Sequence, residues 1–131
     1  MRKGAFLDKK LEKEITQEAI DKYSIRMDTM EKLTTQLSGG NQQKVILGRW
    51  TNRLIKPKVL ILDEPTKGID VGTKAEIYQM ICDIAKQGIG VIFISSETPE
   101  LIGVADNILV MHNGSISGKL KREEATEENI L

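Results

Sequence analysis

Leu37-Ser38-Gly39-Gly40-Asn41-Gln42-Gln43-Lys44, followed by Val59-Leu60-Ile61-Leu62-Asp63-Glu64-Pro65-Thr66, is the stretch on which the reading of this chain turns. Ser38 and two glycines open a helix, and an apolar run closed by two carboxylates comes next. At such a helix start free backbone N–H groups and the positive end of the helix dipole converge, and residues without a Cβ let a phosphate approach closely. A serine at this position also suits plain capping of the helix. Asp63 and Glu64 end an otherwise apolar strand, at the sheet edge where α/β proteins place their ligands. In phosphoryl-transfer sites the first such carboxylate holds Mg²⁺ and a second orients or deprotonates the attacking water. Two adjacent acids after a strand would equally suit a solvated loop. Found together and in this order, the two features read as half of a nucleotide-hydrolysing site.

Periodicity places the elements on either side. Leu11, Ile15, Ala19 and Tyr23 recur every four positions among Lys and Glu, which predicts an amphipathic helix from Asp8 to Tyr23. Ser24 to Gln36 reads as a connector with at most one further helical turn. In the helix opened by Ser38, the expected buried side is Val45, Ile46, Leu47, Trp50 and Leu54, and Pro57 marks the change to extended chain. Lys58 to Asp63 has the near-continuous apolar pattern of a parallel strand covered on both faces. A helix from Gly72 to Lys86 follows, with Ile77, Tyr78, Ile81, Ile84 and Ala85 on one face, stopped by Gln87-Gly88. Gly90 to Ile94 is a second buried strand, parallel to the first. A short helix starts near Thr98-Pro99. Ile108 to His112 and Ser115 to Leu120 form a hairpin about Asn113-Gly114. The Glu-rich tail from Arg122 reads as a solvated, frayed helix. The class is α/β.

With 131 residues, 40% of them apolar and 29% charged, one globular domain is expected. Nineteen basic and nineteen acidic side chains balance to zero, so bulk charge gives no argument for a nucleic-acid partner. The single cysteine, Cys82, cannot form an intrachain disulfide and is expected in the core; with no Cys/His cluster, this fits a reducing compartment. Met1-Arg2-Lys3-Gly4 leads into charge rather than an apolar core, unlike a secretory signal. Ile89 to Ile94 is too short to cross a bilayer.

Leu37 to Gly40 resembles the signature motif of ATP-binding cassette (ABC) ATPases, Leu60 to Glu64 resembles their Walker B segment, and Lys67-Gly68-Ile69-Asp70 falls where their D-loop lies. More narrowly, Asn41 to Lys44, Asp63 to Gly72 and Ser95-Ser96-Glu97-Thr98-Pro99-Glu100 are similar to the second cassette of the duplicated ATPase subunit in simple-sugar importers of the ribose, galactose and xylose type. The similarity runs from Lys3 to Leu120. It implies the C-terminal portion of a P-loop NTPase fold: a partial parallel sheet flanked by helices, with part of the helical subdomain at the N-terminus. Residues 1–36 would be the helical-subdomain remnant, 37–121 the signature, Walker B, D-loop and switch region, and 122–131 a tail.

The resemblance further implies that two cassettes enclose ATP and Mg²⁺. Ser38, Gly39 and Gly40, assisted by Gln42, would touch the γ-phosphate of a nucleotide held by the partner cassette. Asp63 would hold Mg²⁺, Glu64 and Ser96 would be the catalytic pair, and Asp70 would contact the partner. Besides that other cassette, the implied partners are transmembrane permease subunits and, indirectly, a periplasmic or extracellular sugar-binding protein, with no nucleic acid. The implied location is cytoplasmic, peripheral at the inner face of a bacterial membrane.

A phosphate loop needs a glycine-rich turn between strand and helix with a Lys and a Ser or Thr. No segment before Ser38 provides one, and Gly114-Ser115-Ile116-Ser117-Gly118-Lys119 is one residue short between its glycines and lies in the expected hairpin. The chain is therefore expected to be a piece beginning inside the helical subdomain and inactive as an ATPase alone. Ser96 stands where many cassettes carry a histidine, and the only histidine, His112, is expected at the surface. Two rival readings remain. One is a soluble ABC-type ATPase of translation or DNA repair, opposed by the sugar-importer motifs and the zero net charge. The other is an inactive interaction fragment whose sheet has open edges and which self-associates.

Overall fold

The computed structural model describes residues 8–130; the basic start of the chain read above lies outside them. Helix α1 (Lys9–Tyr23) begins at Asp8, whose carboxylate accepts the N–H groups of Lys10 and Leu11. Its stripe is as narrow as the four-residue spacing predicts: Tyr23 is buried, and Leu11, Ile15 and Ala19 are half-buried. The connector holds one 3₁₀ turn, Thr34–Gln36. Then come α2 (Gly39–Trp50), β1 (Val59–Asp63), α3 (Val71–Lys86), β2 (Gly90–Ile94), α4 (Thr98–Val104), β3 (Asn107–His112), β4 (Ser115–Lys121), a 3₁₀ turn (Arg122–Glu124) and α5 (Glu127–Ile130). The tail is thus two short turns rather than one frayed helix.

Strands β1 and β2 pair in parallel from Val59 with Gly90 to Asp63 with Ile94. Strands β3 and β4 pair antiparallel about Asn113 and Gly114, whose positive φ values of 48° and 76° suit a tight hairpin turn. The register shifts between Val110 and Met111, and the Ser117 hydroxyl donates to the Val110 carbonyl there. The Gly114 to Lys119 run is this hairpin's turn and second strand, as its spacing predicts.

The core gathers on α3. Ile77, Met80, Ile81 and Ile84 are buried against Tyr23, Ile25, Leu47 and Leu60, with Leu62, Val91 and Phe93 packed alongside. Each such apolar side chain contributes about 1.5–3 kcal/mol on burial. Met80 takes the inward place expected for Ala85, which is exposed, and Cys82 is half-buried beside the core rather than in it.

Two expectations fail for a packing reason. Leu47 is buried and Val45 packs against the core as expected, but the other inward residues of α2 are Gly40, Lys44 and Gly48, whereas Ile46 and Trp50, and Leu54 beyond the helix end, are exposed. Gly48 decides this: a Cβ there would stand 3.1 Å from the Ala19 Cβ and 3.3 Å from the Tyr23 ring, so α1 lies directly on the glycine. The second failure concerns the parallel pair. Leu60, Leu62, Val91 and Phe93 pack toward α3, but Val59, Ile61, Ile92 and Ile94, on the opposite face, are exposed, Ile61 by 64%. Nothing among the described residues covers that face.

Candidate functional site

Ser38 is the N-cap of α2, and its hydroxyl accepts the Asn41 side-chain N–H at 2.9 Å and, more distantly, the Asn41 backbone N–H at 3.5 Å. Asn41 in turn accepts the Arg26 backbone N–H at 2.9 Å, and the Gln42 amide donates to the Leu37 carbonyl at 2.9 Å. These bonds fix the turn from both sides. The backbone N–H groups of Gly39 and Gly40 carry no hydrogen bond among the described residues.

The two glycines differ. Gly39 is exposed, and an added Cβ would meet nothing within 4 Å. Gly40 is buried, and its Cβ would fall 2.0 Å from Thr73 Cγ2 of α3. The contact with α3 requires a glycine at position 40, whereas the space over position 39 is open. The Ser38–Gly39 surface, at the start of a twelve-residue helix, suits an anion.

The carboxylates stand at the C-terminal end of the parallel pair. Asp63 is the last residue of β1 and is exposed, and its carboxylate accepts no hydrogen bond among the described residues. Glu64 leaves the strand with φ +47°, an unusual conformation for a side-chain-bearing residue, while its N–H donates to the Ile94 carbonyl at 2.9 Å. That turn directs its side chain across the sheet end, where Oε1 accepts the Ser96 backbone N–H at 3.0 Å. Glu64 and Ser96, 32 positions apart, are therefore in contact. Asp70 caps α3 by accepting the Thr73 N–H at 3.0 Å, and the Thr73 backbone and hydroxyl hold its carboxyl below the usual range.

An exposed Asp63 carboxylate fits as one oxygen ligand of a hard cation. Among the described residues no group of three or more acidic, His or Cys side chains could complete such a site, so phosphate oxygens and water would have to supply the rest. Among the described residues no hydrogen bond joins Ser38, Gly39 or Gly40 to Asp63, Glu64 or Ser96.

Sequence reasoning missed Glu100. It is 5% exposed, and its carboxylate accepts from Thr66 Oγ1 (2.9 and 2.8 Å), Lys74 Nζ (2.8 Å), Tyr78 OH (2.7 Å) and Ser95 Oγ (2.8 Å). Burial pushes this carboxyl up, but the hydrogen bonds from Lys74, Tyr78, Thr66 and Ser95 outweigh it and hold the pKa at about 2. Burial and the neighbouring Glu100 push the Tyr78 phenol up to about 12. Lys44 was missed as well. It is buried beside Glu76, whose carboxyl it lowers, and donates to the Ser24 carbonyl at 3.2 Å, tying α2 to α3. An acid in a first helical turn and a lysine in a polar run both read as solvated, and no local pattern marks them otherwise.

Residues 6–67 match the family model described as ABC transporter. The chain is 50% identical over 125 residues to the xylose import ATP-binding protein XylG of Geobacillus kaustophilus, covering 95% of this chain and 24% of that protein. To the ribose import ATP-binding protein RbsA of Bacillus licheniformis it is 46% identical over 126 residues, covering 96% of this chain and 25% of the relative. It spans about a quarter of the length of these curated relatives. The solved dimeric structure of MJ0796, a bacterial ABC transporter cassette, shares the fold at a TM-score of 0.73 and 20% identity, over 92% of this chain and 51% of that one. An identity near one half, carried along almost the whole chain, goes with the same α/β frame: in sequence and in fold the chain is similar to the ATP-binding cassettes of ABC transporters.

Proposed function

We propose that this chain serves as part of the ATP-binding subunit of a bacterial sugar importer, of the kind that takes up xylose or ribose, and contributes to ATP sites formed between two cassettes. The observation that carries this is the Glu64–Ser96 contact at the carboxyl end of the parallel strands, together with an open Ser38–Gly39 helix start that shares no hydrogen bond with it. A cassette arranged in this way contributes its helix start to one nucleotide and its carboxylates to another. The dimeric form of the related cassette supports the same reading.

In this arrangement ATP supplies the γ-phosphoryl group. Ser38 and the Gly39 N–H would hold the γ-phosphate of a nucleotide seated on the facing cassette, with Gly40 fixing the helix against α3 and Gln42 bracing the turn through the Leu37 carbonyl. Asp63 would hold Mg²⁺, Glu64 would orient the attacking water, and Ser96 would keep the Glu64 side chain in place by its N–H. Asp70, at the head of α3, would face the partner cassette. Residues 1–36 would be the helical-subdomain remnant, 37–121 the signature, Walker B, D-loop and switch region, and 122–131 the tail. Permease subunits and, through them, a sugar-binding protein complete the assembly, with the cassettes on the cytoplasmic side. No described helix is long and apolar enough to cross a membrane.

Gly39→Glu tests the helix-start role, because it places a carboxylate where the phosphate would sit without a steric clash. In a complete two-cassette ATPase containing this segment, hydrolysis is expected to fall by about a hundredfold, the scale of a lost preorganised charge interaction. Melting of the variant should stay near that of the parent. Unchanged hydrolysis would rule out the proposed contact.

A further inference from the structure

Three segments distant in sequence meet at one buried carboxylate. Glu100 of α4 accepts from Thr66, two residues beyond Glu64; from Lys74 and Tyr78 of α3; and from Ser95, the residue before Ser96. The outer rim is bonded too: Lys74 pairs with Glu97 at 2.7 Å, and the Glu97 N–H donates to Ser95 Oγ at 3.0 Å. Among the described residues no buried side-chain polar atom lacks a partner, so this cluster is fully satisfied.

A buried ionic cluster is weak evidence for stability, since apolar packing of the same volume holds a fold as well or better. What apolar packing cannot do is fix two loops in one relative setting through directed bonds. The loop after β1 carries Glu64 and the loop after β2 carries Ser96, and the direct bond between them is the single Ser96 N–H to Glu64 Oε1 contact at an exposed position. Glu64 also sits at φ +47°, a conformation that persists only when its surroundings over-determine it. The Thr66 and Ser95 bonds to one carboxylate provide that determination.

We propose that Glu100 is a positioning residue that clamps the Glu64 loop to the Ser96 loop and so keeps the Glu64 carboxylate in one orientation. The clamp itself stands on these contacts; its consequence for ATP hydrolysis rests on the proposed function.

The test compares the parent chain with Glu100→Gln, which keeps the shape but loses the charge, and with Thr66→Val and Ser95→Ala, which each cut one arm and leave the Lys74 and Tyr78 bonds. If Glu100→Gln does not fold, the two single-arm variants carry the test. Amide hydrogen exchange by NMR should show Ser96 losing protection by about fivefold or more while the ladder amides of β1 and β2 change by less than about twofold. Loss of protection at Ser96 and in both strands together would show a merely structural Glu100, and an unchanged Ser96 would show no clamp; either result overturns the proposal. In a complete two-cassette ATPase the same variants should lower kcat about tenfold with KM for ATP little changed. Selective loss at Ser96 with full turnover would uphold the clamp and overturn the role proposed for Glu64.

Discussion

At the scale of single residues, Gly39 and Gly40 show how adjacent identical residues answer to different forces. Both sit in the first turn of α2, yet one faces open space and the other faces Thr73 Cγ2 at a distance no Cβ could tolerate. Gly40→Ala is therefore expected to cost about 1–3 kcal/mol through overpacking. Thr73→Ser, which removes the clashing methyl, should recover most of that loss when combined with it. Gly39→Ala should be near neutral. Urea midpoints of Gly39→Ala, Gly40→Ala, Thr73→Ser and the Gly40→Ala/Thr73→Ser pair check this, and equal costs at the two glycines would refute the packing account. The Ser-Gly-Gly run was legible as a helix start from its order alone. That one glycine belongs to α3 was not, because Thr73 lies 33 positions further along the chain.

Among elements, the parallel pair, the hairpin and the three long helices were legible because each is written as a local period or a turn dipeptide. The side of α2 that faces inward was misread by hydrophobicity. Ile46 and Trp50 would bury more apolar area, but Gly48 lets α1 come closer than any larger residue could. The Glu100 cluster, which ties α3, α4 and both loops together, makes the fold sensitive to acid. Glu100 has its pKa lowered from 4.5 to about 2, so the unfolded chain binds its proton first as pH falls. Its contribution is full above about pH 4.5 and is lost as pH drops toward 2. Glu100→Gln should be less stable than the parent at pH 7, and the difference should shrink steadily between those values. Chemical denaturation at several pH values measures this; a difference independent of pH would exclude Glu100 as the titrating group.

For the molecule as a whole, Val59, Ile61, Ile92 and Ile94 form an uncovered apolar sheet face, continuous across both parallel strands. Exposed apolar faces and unpaired strand edges drive association. The 131-residue chain is expected to self-associate at micromolar concentrations, and Ile61→Lys with Ile92→Lys should shift it toward monomer without unfolding it, since neither side chain contributes to the α3 core. Light scattering with a parallel melt reads both effects; a parent chain that stays monomeric would remove the argument. Alternation along β1 and β2 could not have shown this, because the sequence makes both faces equally apolar.

The order of helix start, apolar strand, paired acids and second strand determined the α/β class, the element order and the candidates Ser38 to Gly40, Asp63 and Glu64, because those depend on periodicity and turn chemistry within a few residues of each other; Gln42, Asp70 and Ser96 came from the resemblance alone. Tertiary structure decided which of those residues meet. It set Glu64 on Ser96, gave Gly40 to Thr73, turned Trp50 outward, and placed a buried carboxylate behind the two loops. Each of these is a contact between positions too far apart for any local pattern to encode, selected by how closely two elements can approach and whether every buried polar group finds a partner.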